Sequence, residues 1–354
     1  MLFSISATLE VSANKDGGKA MNNEQIVLAK RPEGMPDDDT FKYETIDIQE
    51  PAKGEVTVQS IYVSVDPYMR GRMSAAKSYT AAFEVDKPLE GHIVGRITES
   101  RAESLQKDDY VTGILPWKRY NTISAEHLNK ITSGDLPLHL YLSVLGMPGQ
   151  TAYHGLLKIG KPQAGETVVV SAASGAVGSI VGQIAKINGA RVVGIAGGKE
   201  KTEYLTSTLG FDASVDYKDP DYPQRLEDAV SEGVDVYFEN VGGPISDEVF
   251  KHLNKFSRIV VCGAISAYNN PSEDIGQRIQ PILIKTQTLM QAFIVGNYAE
   301  DFANADKQLK EWVKDEKIKT EVSVEEGFEN IPNAFRNLFE GTNFGKQVVK
   351  VAEE

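Results

Sequence analysis

The sequence predicts an α/β fold with two parts, a doubly wound parallel sheet and a second, β-rich, partly open barrel. Three observations predict it. At 354 residues the chain exceeds one ordinary core, so two domains are expected. Residues 166–201 read strand, tight turn, helix, strand within about 30 residues, the unit of a parallel sheet with crossover helices. Residues 22–148 instead carry short alternating runs broken by Pro, Gly and Asp, which suits an antiparallel barrel.

In chain order, residues 1–21 read as an extension. Their apolar start has no Lys or Arg before it, so a secretory n-region is missing, and Met21 could serve as an alternative start. Strand-like alternation follows at 25–29, 41–48, 55–65 and 92–99. Clusters at 31–39, 50–54 and 107–109 punctuate it. A Gly/Pro turn, Gly146-Met147-Pro148-Gly149, opens the second part, with a helix expected over 151–158. An apolar β-branched strand (167–170) then enters a small-residue turn, and a helical period runs through Ile180, Val181, Ile184, Ala185 and Ile187. Gly189 ends that helix before a strand at 191–196. Beyond it helices are expected at 199–209, 222–231 and 244–253, alternating with strands at 213–216, 234–239, 258–262 and 289–295. Residues 301–314 form an amphipathic helix, and the tail, 327–351, reads as helix plus strand rejoining the first part. The expected division is therefore 22–145 with 308–354 for the β-rich part and 146–307 for the doubly wound part.

Bulk composition narrows the function. Hydrophobic residues make up 41% and charged residues 25%, as in ordinary globular chains. A net charge of −13 argues against a nucleic-acid partner, which needs a basic face to displace counterions. No apolar run approaches the roughly 20 residues of a membrane span. The single cysteine, Cys262, suits a reducing, cytoplasmic setting.

The turn between strand and helix bears the first chemistry. It departs from G-x-G-x-x-G by placing Ala173 first, with Gly175 and Gly178 following. Gly175 permits close approach of a dinucleotide pyrophosphate, and Gly178 lets the helix pack against the strand. A tight turn with an empty helix terminus is the blander alternative. The next strand ends in Ala196-Gly197-Gly198-Lys199-Glu200-Lys201, without the carboxylate that takes the ribose hydroxyl of NAD. A glycine pair followed by lysines favours the 2′-phosphate of NADP, unless Lys199 and Lys201 are merely solvated.

A metal is not expected. His92 has no cysteine near Asp66 to share an ion with, and His127, His139, His154 and His252 are scattered without ligand spacing. Tyrosines are the candidate acids. Tyr268 leaves a strand end at the ligand-binding edge, where a phenol that keeps its proton can bond a developing enolate, or can simply shield a cofactor. Tyr68, in Asp66-Pro67-Tyr68-Met69-Arg70, lines a pocket or stiffens a turn, and Arg70 reads as structural rather than catalytic.

Over about residues 22–351 the chain resembles the zinc-independent medium-chain dehydrogenase/reductases, specifically the NADPH-dependent alkenal/enone double-bond reductases. That group includes leukotriene B4 dehydrogenase/prostaglandin reductases, plant 2-alkenal reductases and curcumin-reductase-like enzymes. The carriers are Ser64-Val65-Asp66-Pro67-Tyr68-Met69-Arg70, the turn from Ala172 to Gly178, Phe238-Glu239-Asn240-Val241-Gly242-Gly243, Cys262 to Ser266 with Tyr268, and Asn343-Phe344-Gly345-Lys346. The resemblance implies a Rossmann sheet with a GroES-like barrel, NADP as cofactor and an enal or enone as substrate. It implies that Gly175, Ala176, Val177 and Gly178 hold the pyrophosphate and Lys201 the 2′-phosphate. Tyr217 would lie by the adenosine and Asn240 by the pyrophosphate-ribose end. Cys262, Gly263, Ala264, Ile265, Ser266, Tyr268, Phe293, Ile294, Val295 and Asn343 would flank the nicotinamide half. It further implies a homodimer through the last strand of the sheet, near 289–295. Hydride transfer to the β-carbon, with Tyr268 and a cofactor ribose hydroxyl steadying the enolate, is the implied chemistry. Two rivals remain: a quinone reductase of the same superfamily, and an NADPH-binding sensor or structural protein without turnover.

Overall fold

A computed structural model describes residues 22–132, 136–270, 272 and 274–354, so the extension expected at 1–21 lies outside the described residues. The chain begins with β1 (Asn22–Leu28) and β2 (Phe41–Asp47), an antiparallel pair of their own. After β3 (Glu55–Ser64) and a single helical turn, α1 (Met69–Arg72), come β4 (Glu90–Ser100), β5 (Tyr110–Pro116), β6 (Tyr120–Ser124) and β7 (Asn129–Lys130). Next are α2 (Met147–His154), β8 (Thr167–Val170), α3 (Gly178–Ile187), β9 (Arg191–Ala196) and α4 (Lys199–Ser207). The alternation continues through β10 (Ala213–Asp216), α5 (Tyr222–Ala229), β11 (Val234–Glu239), α6 (Gly243–Val249), β12 (Leu253–Val261), α7 (Gln280–Thr286) and β13 (Leu289–Ala292). It closes with α8 (Phe302–Lys314), β14 (Val322–Glu326), α9 (Ile331–Glu340) and β15 (Lys346–Lys350).

The parallel sheet has the order β10-β9-β8-β11-β12-β13. Its central strands are apolar throughout because helices cover both faces. In β8, Val168 and Val170 join the core under α3, with Ile180, Val181 and Ile184, whereas Val169 joins the opposite core, with Leu226, Val249 and Phe250. The strand order reverses between β8 and β11, which leaves a crevice at their carboxyl ends.

The β-rich sheet has the order β14-β15-β3-β4-β5-β7, with β6 also paired to β3. Register shifts in the β3–β4 pairing, between Thr57 and Val58 and between Ser60 and Tyr62, bend β3 so that it serves several partners. The β1–β2 pair closes on this sheet through Ile26 N–H to the Trp117 carbonyl (3.0 Å) and Leu89 N–H to the Ile26 carbonyl (3.2 Å). Trp117, Phe328 and Phe335 fill the core beneath.

Several elements differ from expectation. The helix expected at 151–158 starts earlier, at Met147, and passes into a π-helical segment, Gly155–Gly160. The strand expected from 258 starts at Leu253, and α6 is correspondingly shorter than its expected 244–253. Strands β5 to β7 and β14 were not expected. Their sequences mix polar residues with Gly113 and Pro116, and β14 is a half-exposed edge strand. Gly113 is required by packing, since a Cβ there would stand 2.9 Å from Leu128. Among the described residues no helix is long and apolar enough to cross a membrane.

Candidate active site

A cleft of about 700 Å³ opens where the parallel sheet's carboxyl edge faces the β-rich domain. Its floor begins at the turn after β8. Ala172 occupies the left-handed region at φ 47°, so the strained position is Ala172, while Ala173 is fully buried and donates its N–H to the Ile195 carbonyl (3.0 Å). A Cβ on Gly178 would lie 2.4 Å from the Ala172 oxygen and 2.9 Å from the Ala173 Cα. The glycine therefore lets the start of α3 close onto the turn's own backbone, more tightly than simple helix–strand packing requires. No side chain caps α3; its Ser179 and Ile180 amides donate to the Gly175 and Val177 carbonyls (3.1 Å each), and the backbone just ahead of them, Ala176, Val177 and Gly178, lines the cleft with the helix dipole behind it. This cradle fits a dinucleotide pyrophosphate.

At the end of β9, the Tyr217 ring lies against Gly197, where a Cβ would meet the ring at 2.8 Å. Asp216, at the end of β10, accepts from the Gly198 and Lys218 amides (2.9 Å each), so its carboxylate lies against the tip of β9 and is engaged by backbone there. Lys201 reaches across to the Gly341 carbonyl (2.7 Å) and stands 5.4 Å above the Phe344 ring. Burial pushes its ammonium below the ordinary lysine value, and Lys218 adds to the effect.

The turn after β11 is organised by Glu239, a buried carboxylate that the sequence shows only as part of a motif, without a role of its own. One oxygen accepts from the Val241 and Gly242 amides (2.8 and 2.9 Å) and the Ser171 hydroxyl (3.2 Å), and the other from Ser246. Ser171 in turn receives the Asn240 amide, and the Asn240 side chain donates to the Ser171 carbonyl (2.9 and 2.8 Å). Burial, with the Glu239 carboxylate nearby, pushes the Cys262 thiol up to about 12.

Past β12 the loop turns so that the Tyr268 hydroxyl accepts from the Ala264 amide (3.4 Å). Burial raises the phenol above its ordinary value, a shift the Ala264 contact only moderates. Tyr68 faces it from the β-rich side, its phenol raised further by burial and by Asp66. Phe293 packs on Gly155, where a Cβ would meet the ring at 2.6 Å.

The β-rich wall is held by a buried ion pair. Lys346 Nζ stands 3.1 Å from Asp66 Oδ1 and donates to the Val65 and Gln347 carbonyls (2.7 and 2.9 Å). Ser64 donates to the other Asp66 oxygen (2.6 Å). Burial pushes the nearby His92 imidazole below its ordinary value, although Asp66 acts the other way, and burial lowers Lys346 too. One residue earlier, the Gly345 amide donates to the Ser174 carbonyl (2.8 Å), stitching this segment to the glycine turn. Asn343 donates to the Gly345 carbonyl (3.1 Å).

The cleft thus brings together Tyr68, Gly175 to Gly178, Lys201, Tyr217, Asn240, Cys262, Gly263, Ile265, Ser266, Tyr268, Phe293 to Val295 and Asn343; Ala264, between two of them in the chain, does not line it. Sequence reading did not single out Met35, Tyr79 or Lys346 for the cleft. A lysine heading the apolar run of β15 was the available signal for Lys346. Among the described residues, no group of three or more His, Cys, Asp or Glu side chains could hold a metal ion.

Comparison with known proteins agrees with this geometry. A family described as the N-terminal domain of oxidoreductase matches residues 24–131, and one described as zinc-binding dehydrogenase matches 176–311. The Bacillus subtilis (strain 168) protein YfmJ is 54% identical over 94% of this chain and 98% of its own length. The NADPH-dependent curcumin reductase of Escherichia coli (strain K12) is 41% identical, covering 95% of this chain and 99% of its own. The NADP(+)-dependent 2-alkenal reductase of Nicotiana tabacum is 40% identical, covering 94% and 99%. The crystal structure of CurA from Vibrio vulnificus in complex with NADPH superposes with a TM-score of 0.90 at 41% identity, covering 94% of this chain and all of that one, 100%.

Proposed function

The chain belongs to the medium-chain dehydrogenase/reductases, in their NADPH-dependent double-bond reductase group, and on that premise we propose that it reduces the C=C bond of α,β-unsaturated aldehydes and ketones. One observation carries the reading: the Gly175–Gly178 cradle and the Tyr268 phenol open into the same largely apolar cleft.

Bound NADPH would supply a hydride from nicotinamide C4 to the substrate β-carbon. The chain's part is to bind, orient and stabilise charge. The turn Gly175 to Gly178 would hold the pyrophosphate, and Lys201 would hold the 2′-phosphate. Tyr217 lies by the adenosine, and Asn240, fixed by Ser171, by the adjoining ribose. Cys262 to Ser266, Phe293, Ile294, Val295 and Asn343 flank the nicotinamide half, with Tyr68 on the substrate side. The Tyr268 phenol, kept protonated by burial, donates to the carbonyl oxygen as enolate charge develops there, and protonation of the α-carbon completes the reduction.

The test is a rate panel of enals, enones and quinones with NADPH and NADH in parallel, run for wild type and Tyr268→Phe. Enones with NADPH should be fastest, and the substitution should slow them by about 10²-fold. Quinones outrunning every enone would favour the rival reductase. Cofactor binding without turnover would favour a sensor.

The proposal extends to assembly and setting. Sheet membership supports a cofactor domain over 146–307 and a β-rich domain over 22–145 with 308–354, with the 307/308 division falling inside α8, whose Leu309 joins the core of α2. At the sheet's edge, all four residues of β13 are exposed, with Leu289 at 53%, which supports a homodimer built through that strand. A monomeric mass in light scattering would sink that part. The lone thiol supports a cytoplasmic setting.

A further inference from the structure

Arg70 is one of the few buried cations, 7% exposed, and has no carboxylate partner among the described residues. Its Nε donates to the Gly34 carbonyl (3.1 Å) and to Asn269 Oδ1 (2.9 Å). Its Nη2 donates to the carbonyls of Pro32 (3.1 Å) and Gly34 (2.9 Å). Gly34 adopts φ 76°, a conformation a side chain would strain, and so presents its oxygen to two N–H groups at once. A buried guanidinium without an anion is costly, and a neutral side chain could fill the space. What an apolar residue could not do is donate to Asn269, which follows Tyr268 directly in the chain.

The loop that carries Tyr268 is otherwise tied only to its own domain. Ile265 and Ser266 donate their amides to the Asn240 and Val241 carbonyls (3.2 and 3.0 Å), and the Ser266 hydroxyl donates to Val241 (2.6 Å). These anchors precede Tyr268; beyond it, the Asn270 amide donates to the Ala267 carbonyl (3.2 Å) and Gln277 to the Asp247 carbonyl (3.1 Å), and neither holds the Asn269 side chain. On its far side the described side-chain contacts of Asn269 run to the β-rich domain, to Arg70 and to the Met35 sulfur (3.4 Å). Tyr268 is thus pinned between an anchor on one wall of the cleft and an anchor on the other.

We propose that Arg70 is a positioning residue for the reduction, latching the Tyr268 loop across the cleft through Asn269. This rests on the reading of Tyr268 as the hydrogen-bond donor to the substrate oxygen. The latch sets where the phenol stands relative to that oxygen, and a displacement of about 1 Å is enough to cost on the order of 10²-fold in rate.

The experiment measures kcat and KM for an enone and for NADPH, with thermal midpoints, in R70M, N269A, R70M/N269A, Y268F and R70M/Y268F. R70M and N269A should each lower kcat by 10- to 100-fold, as expected for roughly 1 Å of misplacement. KM for NADPH should stay within about twofold, because the cradle is untouched. The double variant R70M/N269A should be no slower than the worse single, and R70M should add nothing in the Y268F background. Equal slowing of wild type and Y268F by R70M would overturn the latch, as would a lowered midpoint with kcat unchanged. Y268F running at the wild-type rate would sink the donor reading and the latch with it, whereas a slow Y268F with additive R70M sinks the latch alone. Should R70M fail to fold, N269A and N269A/Y268F carry the same comparison, since they leave Arg70 its carbonyl contacts.

Discussion

On the parallel-sheet wall of the cleft, the turn after β8 and the tip of β9 are built from about 30 consecutive residues, and what shapes them is backbone sterics: Ala172 in the left-handed region, and Gly178 closing to where a Cβ would stand 2.4 Å from an oxygen. On the β-rich wall, Ser64, Asp66 and His92 meet Lys346 from β15, some 280 residues along the chain, and what holds them is buried charge. The difference teaches that one cleft can be assembled under two regimes. The turn after β8 should therefore be most sensitive to added volume at Gly178, and the β-rich wall to the loss of a charge from the Lys346–Asp66 pair.

The strongest way to break this comparison is Lys346→Met. It leaves Asp66 buried without its ammonium and should lower stability by about 3–5 kcal/mol in denaturant titration. Adding Asp66→Asn should recover part of the loss, because the orphaned charge is then gone. If K346M alone were silent, the wall would not depend on charge. Gly178→Ala probes the other regime. Its methyl must displace the Ala172 carbonyl, with an expected loss of about 1–3 kcal/mol and a raised KM for NADPH. A smaller effect is expected at the cofactor's far end. Lys201→Ala should raise the KM for NADPH by about tenfold while leaving that for NADH level, whereas Lys199→Ala, at an exposed lysine paired with the surface residue Glu203, should change either by less than about twofold. The smallest concerns pH. Because burial raises the Tyr268 phenol above its ordinary value of 10, kcat should hold level through neutral pH and decline only above pH 10. A decline beginning near neutrality would assign the donated proton to another group.

The legibility of the two walls follows the same division. The parallel sheet could be read almost strand by strand: 167–170, 191–196, 213–216 and 234–239 are the bounds observed. Doubly buried strands are continuous apolar runs, and crossover helices separate them cleanly. The barrel was harder. β5 to β7 carry polar outer faces and a glycine needed only for packing, and β14 is an exposed edge, so their periodicity is weak. In the site, Tyr268, Tyr68 and the glycines were legible because they sit at strand ends or in turns. Lys346, Glu239 and the grip of Arg70 on Asn269 were not, since a buried charge looks in sequence like any surface charge until its partner is known.

By itself the sequence determined the parallel sheet and the presence of a β-rich second part, the dinucleotide turn, the preference for a 2′-phosphate implied by a strand tip without a carboxylate, and the family. All of these depend on residues near one another in the chain, where spacing and chirality already constrain geometry. Only the tertiary structure decided that Ala172 rather than Ala173 bears the strained torsion, that Lys346 pairs with Asp66, and that Arg70 reaches Asn269 across 199 positions. Those are long-range pairings, and their energy exists only once burial has removed the water that would otherwise solvate each charge separately.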